Sequence, residues 1–383
     1  MRFLHTGDWH VGKTLRGKSR AEEHRQVLAE IAAVARDRKV DIVLVAGDLF
    51  DGAAPGPEAE EIVYGALLDL SRASEWVVTI SGNHDNPRRL EAVEPLMRLT
   101  NIRVLSKPAR PSSGGVLTLQ TKVGTATIAL LPFLSQRSIV KADDLMAKEA
   151  SQHAGDYAER ATRVIEHLCA APPPPSTVNV LLAHAMVHGG VLGGGERQAH
   201  TIFEYSIPAT AFPGSLHYVA LGHLHRAQKL PSACPAWYSG SPLQLDFGET
   251  DDVKSVNLIE AEPDTPAEVE VVPLSSGRRL RRVKATLGEL ERLAPELGDA
   301  YLRVEVSAAP TPGLADKVRE ILPNAVDVVI AGRARETEGP QPERNLGRSP
   351  RDLFGEYLKE RGASDARVRA LFDELLDQVH APD

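Results

Sequence analysis

The chain has 383 residues, 42% of them hydrophobic and 25% charged, and its formal net charge is −8 at pH 7. This length exceeds what one hydrophobic core supports and predicts two domains, and no apolar run reaches the roughly 18 residues of a membrane span. The negative charge argues against indiscriminate nucleic-acid binding, although it is compatible with local basic patches and with cations that bind a phosphate.

The first third of the chain repeats one pattern three times: a short apolar strand, an acidic loop and an amphipathic helix. The predicted strands span residues 2–6, 42–46, 75–80 and 102–105, and the predicted helices span 21–38, 58–72 and 90–99. This alternation predicts an α/β sheet with helical crossovers. In such sheets, ligands bind at the carboxyl ends of the strands.

From residue 115 the pattern changes to strands with fewer helices. The predictions are a hairpin from 116 to 131, a helix at 156–169, buried strands at 178–183 and 218–221, and strand-like pieces at 237–242 and 255–260. The arginine-rich run 278–282 predicts a boundary. Beyond it, helices at 286–293 and 314–322 and strands at 301–306 and 326–330 predict a small α+β unit.

The C-terminal part predicts a linker and a pair of helices. Residues 331–348 are polar and contain Gly and Pro, as flexible connections do. Residues 350–380 carry two amphipathic patterns separated by Gly362. We expect so small a pair to dock on a partner, with docking back on its own domain as the alternative. We therefore divide the chain into a main domain (1–277), a small capping domain (278–335), a linker (336–348) and a helical tail (349–383).

Five predicted strands end in polar residues of the kinds that bind metals. These residues are Asp8, His10, Asp48, Asn83, His84, His184, His223 and His225. Carboxylate, amide and imidazole ligands without thiolates suit Mn, Fe or Zn better than Ca or a structural zinc. Eight residues are too many for one ion and suit two ions that share a bridging carboxylate. Such pairs, about 3.5–4 Å apart, bind a phosphate and activate a water for its hydrolysis.

The segment Gly82-Asn83-His84-Asp85 is the most specific of these motifs. An amide, an imidazole and a carboxylate directly after a buried strand are costly to bury unless a positive charge lies among them. A single D-x-H or H-x-H has a structural role in most proteins. The whole set, in this order, indicates a metal site.

A second pattern competes for the same stretch. Residues 7–14 read G-D-W-H-V-G-K-T and satisfy the P-loop pattern. We reject a P-loop because Asp8 and Trp9 would place an anion and a bulky ring in the phosphate cradle, and a loop follows where the helix should begin. The basic residues of this stretch form either a solvated loop or a basic lip that contacts a nucleic-acid backbone. They are Lys13, Arg16, Lys18 and Arg20.

In their order, these motifs resemble the calcineurin-like metallophosphoesterase superfamily. The matching motifs are Asp8-x-His10, Gly47-Asp48-x-x-Asp51, Gly82-Asn83-His84-Asp85, His184 and Gly222-His223-x-His225. Closer features resemble the SbcD family, the nuclease subunits of bacterial SbcCD complexes, over almost the whole chain. They are residues 5–13, Glu196-Arg197, 220–225 and Tyr238-Ser239-Gly240-Ser241-Pro242. The resemblance implies a four-layer αββα sandwich with a small α+β capping domain and a C-terminal helical pair.

The resemblance also implies a role for each motif residue. Asp8, His10, Asp48 and His225 would hold one manganese ion, and Asp48, Asn83, His184 and His223 the other, with Mg²⁺ or another divalent metal as an alternative. His84 would face the scissile phosphate, and Asp85 would orient it. Asp51 stands where archaeal and eukaryotic members usually have histidine; aspartate fits the bacterial branch and leaves its role open. Asp51 and the four basic residues are substrate-binding candidates.

The activity implied is that of an exonuclease on double-stranded DNA ends and an endonuclease on hairpins or single strands, in DNA repair, recombination and replication. An SbcC-type, SMC-like ATPase would bind the ATP and receive the tail on the base of its coiled coil. Two copies of this chain would pair through the early helices, and the capping domain would bind DNA. The cytoplasm is expected, since Cys169 and Cys234 lack metal or disulfide spacing. The alternatives are a phosphatase or cyclic-nucleotide phosphodiesterase with the same metals, and a scaffold without catalysis.

Overall fold

The structure is a computed structural model that describes residues 1–135, 139, 157–170, 174–196 and 206–330, with a few tail positions between 354 and 372. The helices are α1 Ala21–Asp37, α2 Pro57–Ala73, α3 Pro87–Met97, α4 Tyr157–Cys169, α5 Leu287–Leu297 and α6 Leu314–Ile321. None of these helices combines the length and apolarity needed to span a bilayer.

The strands are numbered in chain order. They are β1 Arg2–Thr6, β2 Thr14–Leu15, β3 Lys18–Ser19, β4 Ile42–Val45, β5 Trp76–Ile80, β6 Ile102–Leu105, β7 Val116–Thr121, β8 Gly124–Leu131, β9 Thr177–His184, β10 Met186–Val187, β11 Ser206–Ile207, β12 Tyr218–Gly222, β13 Gln228–Leu230, β14 Ala236–Tyr238, β15 Ser255–Glu262, β16 Thr265–Pro273, β17 Leu280–Ala285, β18 Tyr301–Val306 and β19 Ala325–Ile330.

Two six-stranded sheets form the centre of the molecule. The first has the order β16-β15-β1-β4-β5-β6, and the second has the order β13-β14-β12-β9-β8-β7. Four neighbouring strands are parallel in each sheet: β1, β4, β5 and β6 in the first, and β8, β9, β12 and β14 in the second. Their carboxyl ends are therefore able to deliver side chains to one edge of each sheet.

Alternating side chains of the central strands build the layers. In β4, Ile42 and Leu44 enter the core between the two sheets, whereas Val43 and Val45 enter the core with α1 and α2. In β9, Leu182 faces the inter-sheet core and Leu181 packs in the core that includes α4. A strand covered on both faces is apolar along its whole length, which explains these continuous runs. The predicted αββα sandwich is confirmed.

Besides several strands of two or three residues, two longer strands were missed in the sequence. β16 is an edge strand with mostly exposed side chains, so it lacks the apolar pattern of a buried strand. β17 begins in the arginine-rich run that predicted a boundary and extends beyond it to Ala285. Its Leu280, Val283 and Ala285 are buried while Arg281 and Lys284 are exposed, and this pattern departs from strict alternation. The predicted strand at 237–242 is shorter and ends at Tyr238.

The last described unit is a three-stranded parallel sheet, β17-β18-β19, covered by α5 and α6. It contacts the main domain through an apolar cluster in which Leu280 and Tyr301 meet Leu15 and Phe247. The side chain of Gln244 also accepts a hydrogen bond of 2.7 Å from the amide of Leu280. The capping unit thus rests on the β2–β3 hairpin and on the segment around Phe247.

Most of the predicted linker and tail lies outside the described residues. Within the tail, the rings of Phe354 and Phe372 stack at a centroid distance of 3.9 Å, so the two predicted apolar segments meet each other. Tyr357 and Leu371 remain about half exposed.

Candidate metal centre

The polar residues at the strand ends converge on one place between the two sheets. Asp8 and His10 follow β1, and the amide of Asp8 donates to the carbonyl oxygen of Gly47 after β4. From the second sheet, the amide of His223 after β12 donates to both carboxylate oxygens of Asp8, at 2.9 and 3.1 Å. The edges of the two sheets are thereby joined at the site.

The backbone is strained at four of these residues. Asp8, His10 and Asp48 have φ angles of about 50°, and His223 has a φ of 109°. Residues other than glycine rarely adopt these backbone angles, which cost on the order of 1–3 kcal/mol per residue. Strain concentrated at one cluster of buried polar groups marks a functional site.

Two glycines permit the close approach of the loops. A Cβ on Gly82 would lie 2.1 Å from Oδ1 of Asp48, and one on Gly222 would lie 2.0 Å from the carbonyl oxygen of Ala46. Neither position has room for a side chain. The glycines of the G-N-H-D and G-H-x-H motifs therefore allow the strand ends to meet.

The first group of candidate ligands comprises Asp8, His10 and His225, whose ligand atoms lie within 4.8 Å of one another. The Nδ1 atom of His225 donates to Oε1 of Glu249 at 3.1 Å. Its Nε2 atom, 3.1 Å from Nε2 of His10, then carries a lone pair. Two ring nitrogens at this distance require a proton or a cation between them.

The second group comprises Asp48, Asn83, His184 and His223. The Nδ1 atom of His184 donates to the carbonyl oxygen of Ala46 at 2.6 Å, so its Nε2 lone pair faces Oδ1 of Asn83 at 2.9 Å. The same Asn83 oxygen lies 2.8 Å from Nδ1 of His223. Two acceptors that face each other again fit a cation.

Asp48 lies between the two groups. Its Oδ2 atom is 3.5 Å from Nε2 of His10 and 3.5 Å from Nε2 of His184. Its Oδ1 atom accepts the amide of His84 at 2.8 Å. Asp48 thus has the position that a bridging carboxylate needs.

Burial disfavours the charged forms of Asp8 and His10 in this cluster. It raises the pKa of Asp8 well above its ordinary value, an effect to which nearby Asp48 adds, and it lowers the pKa of His10 well below the usual range of histidine. Carboxylates and neutral imidazoles buried together become favourable when a divalent cation supplies the positive charge. The donor set and its facing lone pairs fit such a cation.

His84 lies beside this cluster. One of its ring nitrogens is within 4.8 Å of ligand atoms of His10 and Asp48. Its Nδ1 atom donates to the carbonyl oxygen of Asp51 at 2.8 Å, which directs Nε2 to the other side of the ring.

The expectation that Asp85 orients His84 needs correction. Both carboxylate oxygens of Asp85 accept main-chain amides: Oδ1 that of Phe50 at 3.0 Å, and Oδ2 those of Gly82 at 2.8 Å and Leu49 at 3.3 Å. Asp85 therefore ties the loop after β5 to the loop after β4, and the group that holds the His84 ring is the Asp51 carbonyl.

The four basic candidates fall into different environments. Lys13 lies 3.4 Å from the Asp51 carboxylate, Arg16 donates to Asp327 of the capping unit at 3.0 Å, and Lys18 is exposed. Arg20 contradicts the expected basic lip because only 1% of it is exposed. Its guanidinium binds Glu23 and the carbonyl oxygen of Gln244, so it stabilises the interior and cannot reach a DNA backbone.

Several residues around the ligands escaped the sequence analysis. Glu249 and Lys254 form a buried pair beside His225, and the ring of Phe133 stacks on His223 at 6.0 Å. Burial raises the pKa of Glu249, but the charge of Lys254 and the hydrogen bond from His225 outweigh it and lower the pKa to about 2. None of the three stands in a recognisable motif. Glu196, noted only as part of a family motif, accepts the amide of His225 at 2.9 Å.

Comparison with known proteins gives matches along the chain. The family described as calcineurin-like phosphoesterase matches residues 1–227, and the type 5 capsule protein repressor C-terminal domain matches residues 276–361. The D subunit of nuclease SbcCD from Bacillus subtilis (strain 168) is 36% identical over 299 residues, which cover 75% of this chain and 73% of that protein. The same subunit from Rhodobacter capsulatus is 37% identical over 68% of this chain and 66% of that protein. The same subunit from Escherichia coli (strain K12) is 28% identical over 94% of this chain and 91% of that protein.

Proposed function

Since the chain belongs to the calcineurin-like phosphoesterases and, within them, to the SbcD family of nuclease subunits, we propose that it cuts DNA in a complex with an SbcC-type ATPase. It is a metal-dependent nuclease subunit that hydrolyses phosphodiester bonds. The observation that carries the proposal is a pair of close contacts that a cation would satisfy: Nε2 of His225 lies 3.1 Å from Nε2 of His10, and Nε2 of His184 lies 2.9 Å from Oδ1 of Asn83.

The centre holds two Mn²⁺ ions in this proposal. Asp8, His10, Asp48 and His225 would bind one, and Asp48, Asn83, His184 and His223 would bind the other. The position of Asp48 between two imidazoles supports its role as the bridge. When bound, divalent ions polarise the phosphate and lower the pKa of the attacking water.

The protein itself supplies positioning and a proton. The hydrogen bond from His84 to the Asp51 carbonyl fixes the ring, so that a proton on Nε2 is directed at the substrate. In this position His84 either protonates the leaving oxygen or holds the phosphate. Asp85 contributes by keeping the two ligand-bearing loops together.

The DNA path follows the basic residues that remain available. Lys13 lies 3.4 Å from the Asp51 carboxylate, Arg16 and Lys18 are exposed on the β2–β3 hairpin, and Arg16 links this hairpin to the capping unit through Asp327. In the capping domain (278–335), Arg281 and Lys284 are exposed on β17. Phosphate contacts of this kind provide sequence-independent affinity that falls with salt.

Exposed apolar residues support the proposed assembly. Leu96 and Leu99, at the end of α3, are 66% and 83% exposed and suit a homodimer formed through the early helices of the main domain (1–277). The tail (349–383), reached through the linker (336–348), exposes Tyr357 and Leu371 and suits the coiled-coil base of the ATPase partner. ATP is used by that partner, and the assembly works in the bacterial cytoplasm at the nucleoid.

One assay tests the proposal against its rival. The purified chain, with and without an SbcC-type ATPase, is incubated with hairpin DNA and Mn²⁺, and the same samples receive a small phosphodiester. We expect cleavage of the hairpin, enhanced by the partner and ATP. Fast hydrolysis of the small ester with intact DNA in both settings would instead identify a small-substrate phosphodiesterase.

A further inference from the structure

We propose that Glu249 is a positioning residue of the metal centre, which fixes the ring of His225 so that Nε2 presents its lone pair to the metal, while Lys254 balances the carboxylate charge. The inference rests on the proposed function, because it assigns a residue to the same centre. It concerns a carboxylate that lies 24 positions after the histidine it holds.

The two oxygens of Glu249 have separate partners. Oε1 accepts from Nδ1 of His225 at 3.1 Å, and Oε2 lies 2.7 Å from Nζ of Lys254. The amide of Leu245 also donates to Oε2, at 3.1 Å. The glutamate has no exposed surface, so its own side chain is held in a single place.

Lys254 holds the same histidine from a second side. Its Nζ donates to the main-chain carbonyl oxygen of His225 at 3.0 Å and to Oγ of Ser241 at 3.0 Å. The amide of Ser241 donates to that carbonyl oxygen as well, at 3.1 Å. The main chain and the ring of His225 are thus fixed by neighbouring residues of one segment, 241–254.

The tautomer is the chemical consequence of this arrangement. A neutral imidazole carries one proton, and the Glu249 carboxylate holds it on Nδ1. Without that acceptor, the proton is free to reside on Nε2, where it would occupy the place of the cation beside His10 and Asp8. Carboxylates that accept the second N–H of a ligating histidine have this effect in metal sites, and losing them weakens metal binding about 10- to 100-fold.

A purely structural ion pair is the alternative explanation. In that case Glu249 and Lys254 would be equivalent, since removing either would leave one buried charge without its partner. The positioning role predicts an asymmetry: Glu249 contacts the ligand ring, whereas Lys254 contacts carboxylates, the hydroxyl group of Ser241 and the main-chain carbonyl oxygen of His225. Two variants separate these explanations.

The first variant, Glu249→Ala/Lys254→Met, removes both charges and leaves no unpaired ion. The second, Lys254→Met, keeps the acceptor for His225. The full chain is freed of metal with a chelator and titrated with Mn²⁺, using isothermal titration calorimetry for affinity and electron paramagnetic resonance for the coupling between two ions. Glu268→Gln, at an exposed carboxylate on β16, is the matched control.

We expect the double variant to bind one ion about 10- to 100-fold more weakly than the wild-type chain and to lose the coupled signal. Lys254→Met, which keeps the acceptor on Glu249, should lose several-fold less affinity than the double variant, and Glu268→Gln should keep both affinities within a few fold. The proposal is overturned if the double variant binds both ions like the wild type, if Lys254→Met loses as much affinity as the double variant, or if either variant loses both ions together.

The outcome is separable from a failure of the proposed function, because the titration needs no DNA. A wild-type chain that binds two Mn²⁺ ions but leaves DNA intact refutes the nuclease proposal, and the comparison between variants still decides the role of Glu249. A wild-type chain that binds no Mn²⁺ refutes both.

Discussion

The Nδ1 atom of His84 donates a 2.8 Å hydrogen bond to the main-chain carbonyl oxygen of Asp51, which lies in the loop after β4. Asn83, one position earlier, directs its side-chain oxygen at His184 and His223 instead. Two adjacent residues of one loop therefore face different partners, the histidines in the case of Asn83 and the Asp51 carbonyl in the case of His84. Their substitution should have separable effects.

His84→Gln should keep Mn²⁺ binding and lose about 10²- to 10⁴-fold in cleavage, the usual contribution of a general acid. Single-turnover cleavage of hairpin DNA, paired with a Mn²⁺ titration of the same sample, measures both properties. His167→Gln, at an exposed histidine on α4, should leave both unchanged.

Asn83→Ala should have the opposite profile, with weakened Mn²⁺ binding and cleavage that recovers in part at high Mn²⁺ concentration. The reason is that Oδ1 of Asn83 is the atom that both His184 and His223 approach. If Asn83→Ala kept full metal affinity while His84→Gln lost it, the two roles would have to be exchanged.

Asp85→Ala should destabilise the metal-free chain by about 1–3 kcal/mol, since three main-chain amides lose their acceptor. Burial, together with nearby Asp48, raises the pKa of Asp85 to about 7. Urea unfolding at pH 8, where the carboxylate is ionised, is therefore the suitable measurement. Asp264→Ala, at an exposed turn between β15 and β16, is the control. A change below about 0.5 kcal/mol would show that water replaces the carboxylate.

Lys18→Ala and Arg20→Ala should differ although the residues are two positions apart. Lys18 is exposed, so its loss should weaken DNA binding at low salt without affecting unfolding. Arg20 is buried with Glu23, so its loss should cost about 3–5 kcal/mol of stability. Urea unfolding and salt-dependent DNA binding of both variants test this. A DNA-binding defect in a stably folded Arg20→Ala protein would instead show that Arg20 contacts DNA as part of the basic lip.

Lys18 and Arg20 also show where sequence reasoning succeeds and where it stops. The convergence of the strand-end residues was predictable because the carboxyl ends of parallel strands meet at one edge of a sheet, and that rule needs only the strands. The burial of Arg20 depends on Gln244, which lies 224 positions away, and the partner of His225 depends on a loop that no motif marks. Asp85 was assigned to its sequence neighbour His84, whereas its carboxylate binds amides of a different loop. Such contacts are set by tertiary packing and leave no local pattern.

Burial of the His5 side chain should make the free energy of unfolding decrease at acidic pH. It is buried between the sheets, where its Nδ1 atom accepts a 2.9 Å hydrogen bond from the hydroxyl group of Tyr218. Burial lowers its pKa to about 3, whereas an unfolded chain has the ordinary value of about 6.5. Below pH 6.5 the unfolded chain binds a proton that the folded chain excludes, so stability falls as the pH decreases towards 3, by about 3–5 kcal/mol in total.

His5→Gln should remove this part of the pH dependence. The variant will be less stable than the wild type at pH 7, because the hydroxyl group of Tyr218 loses its hydrogen bond to His5, but its free energy of unfolding should decline less steeply between pH 6.5 and 4.5. Urea unfolding at several pH values, with a chelator present so that metal release does not contribute, gives the slopes. His167→Gln removes an exposed histidine and should follow the wild-type slope. Parallel curves for His5→Gln and the wild type would mean that His5 takes up its proton without unfolding.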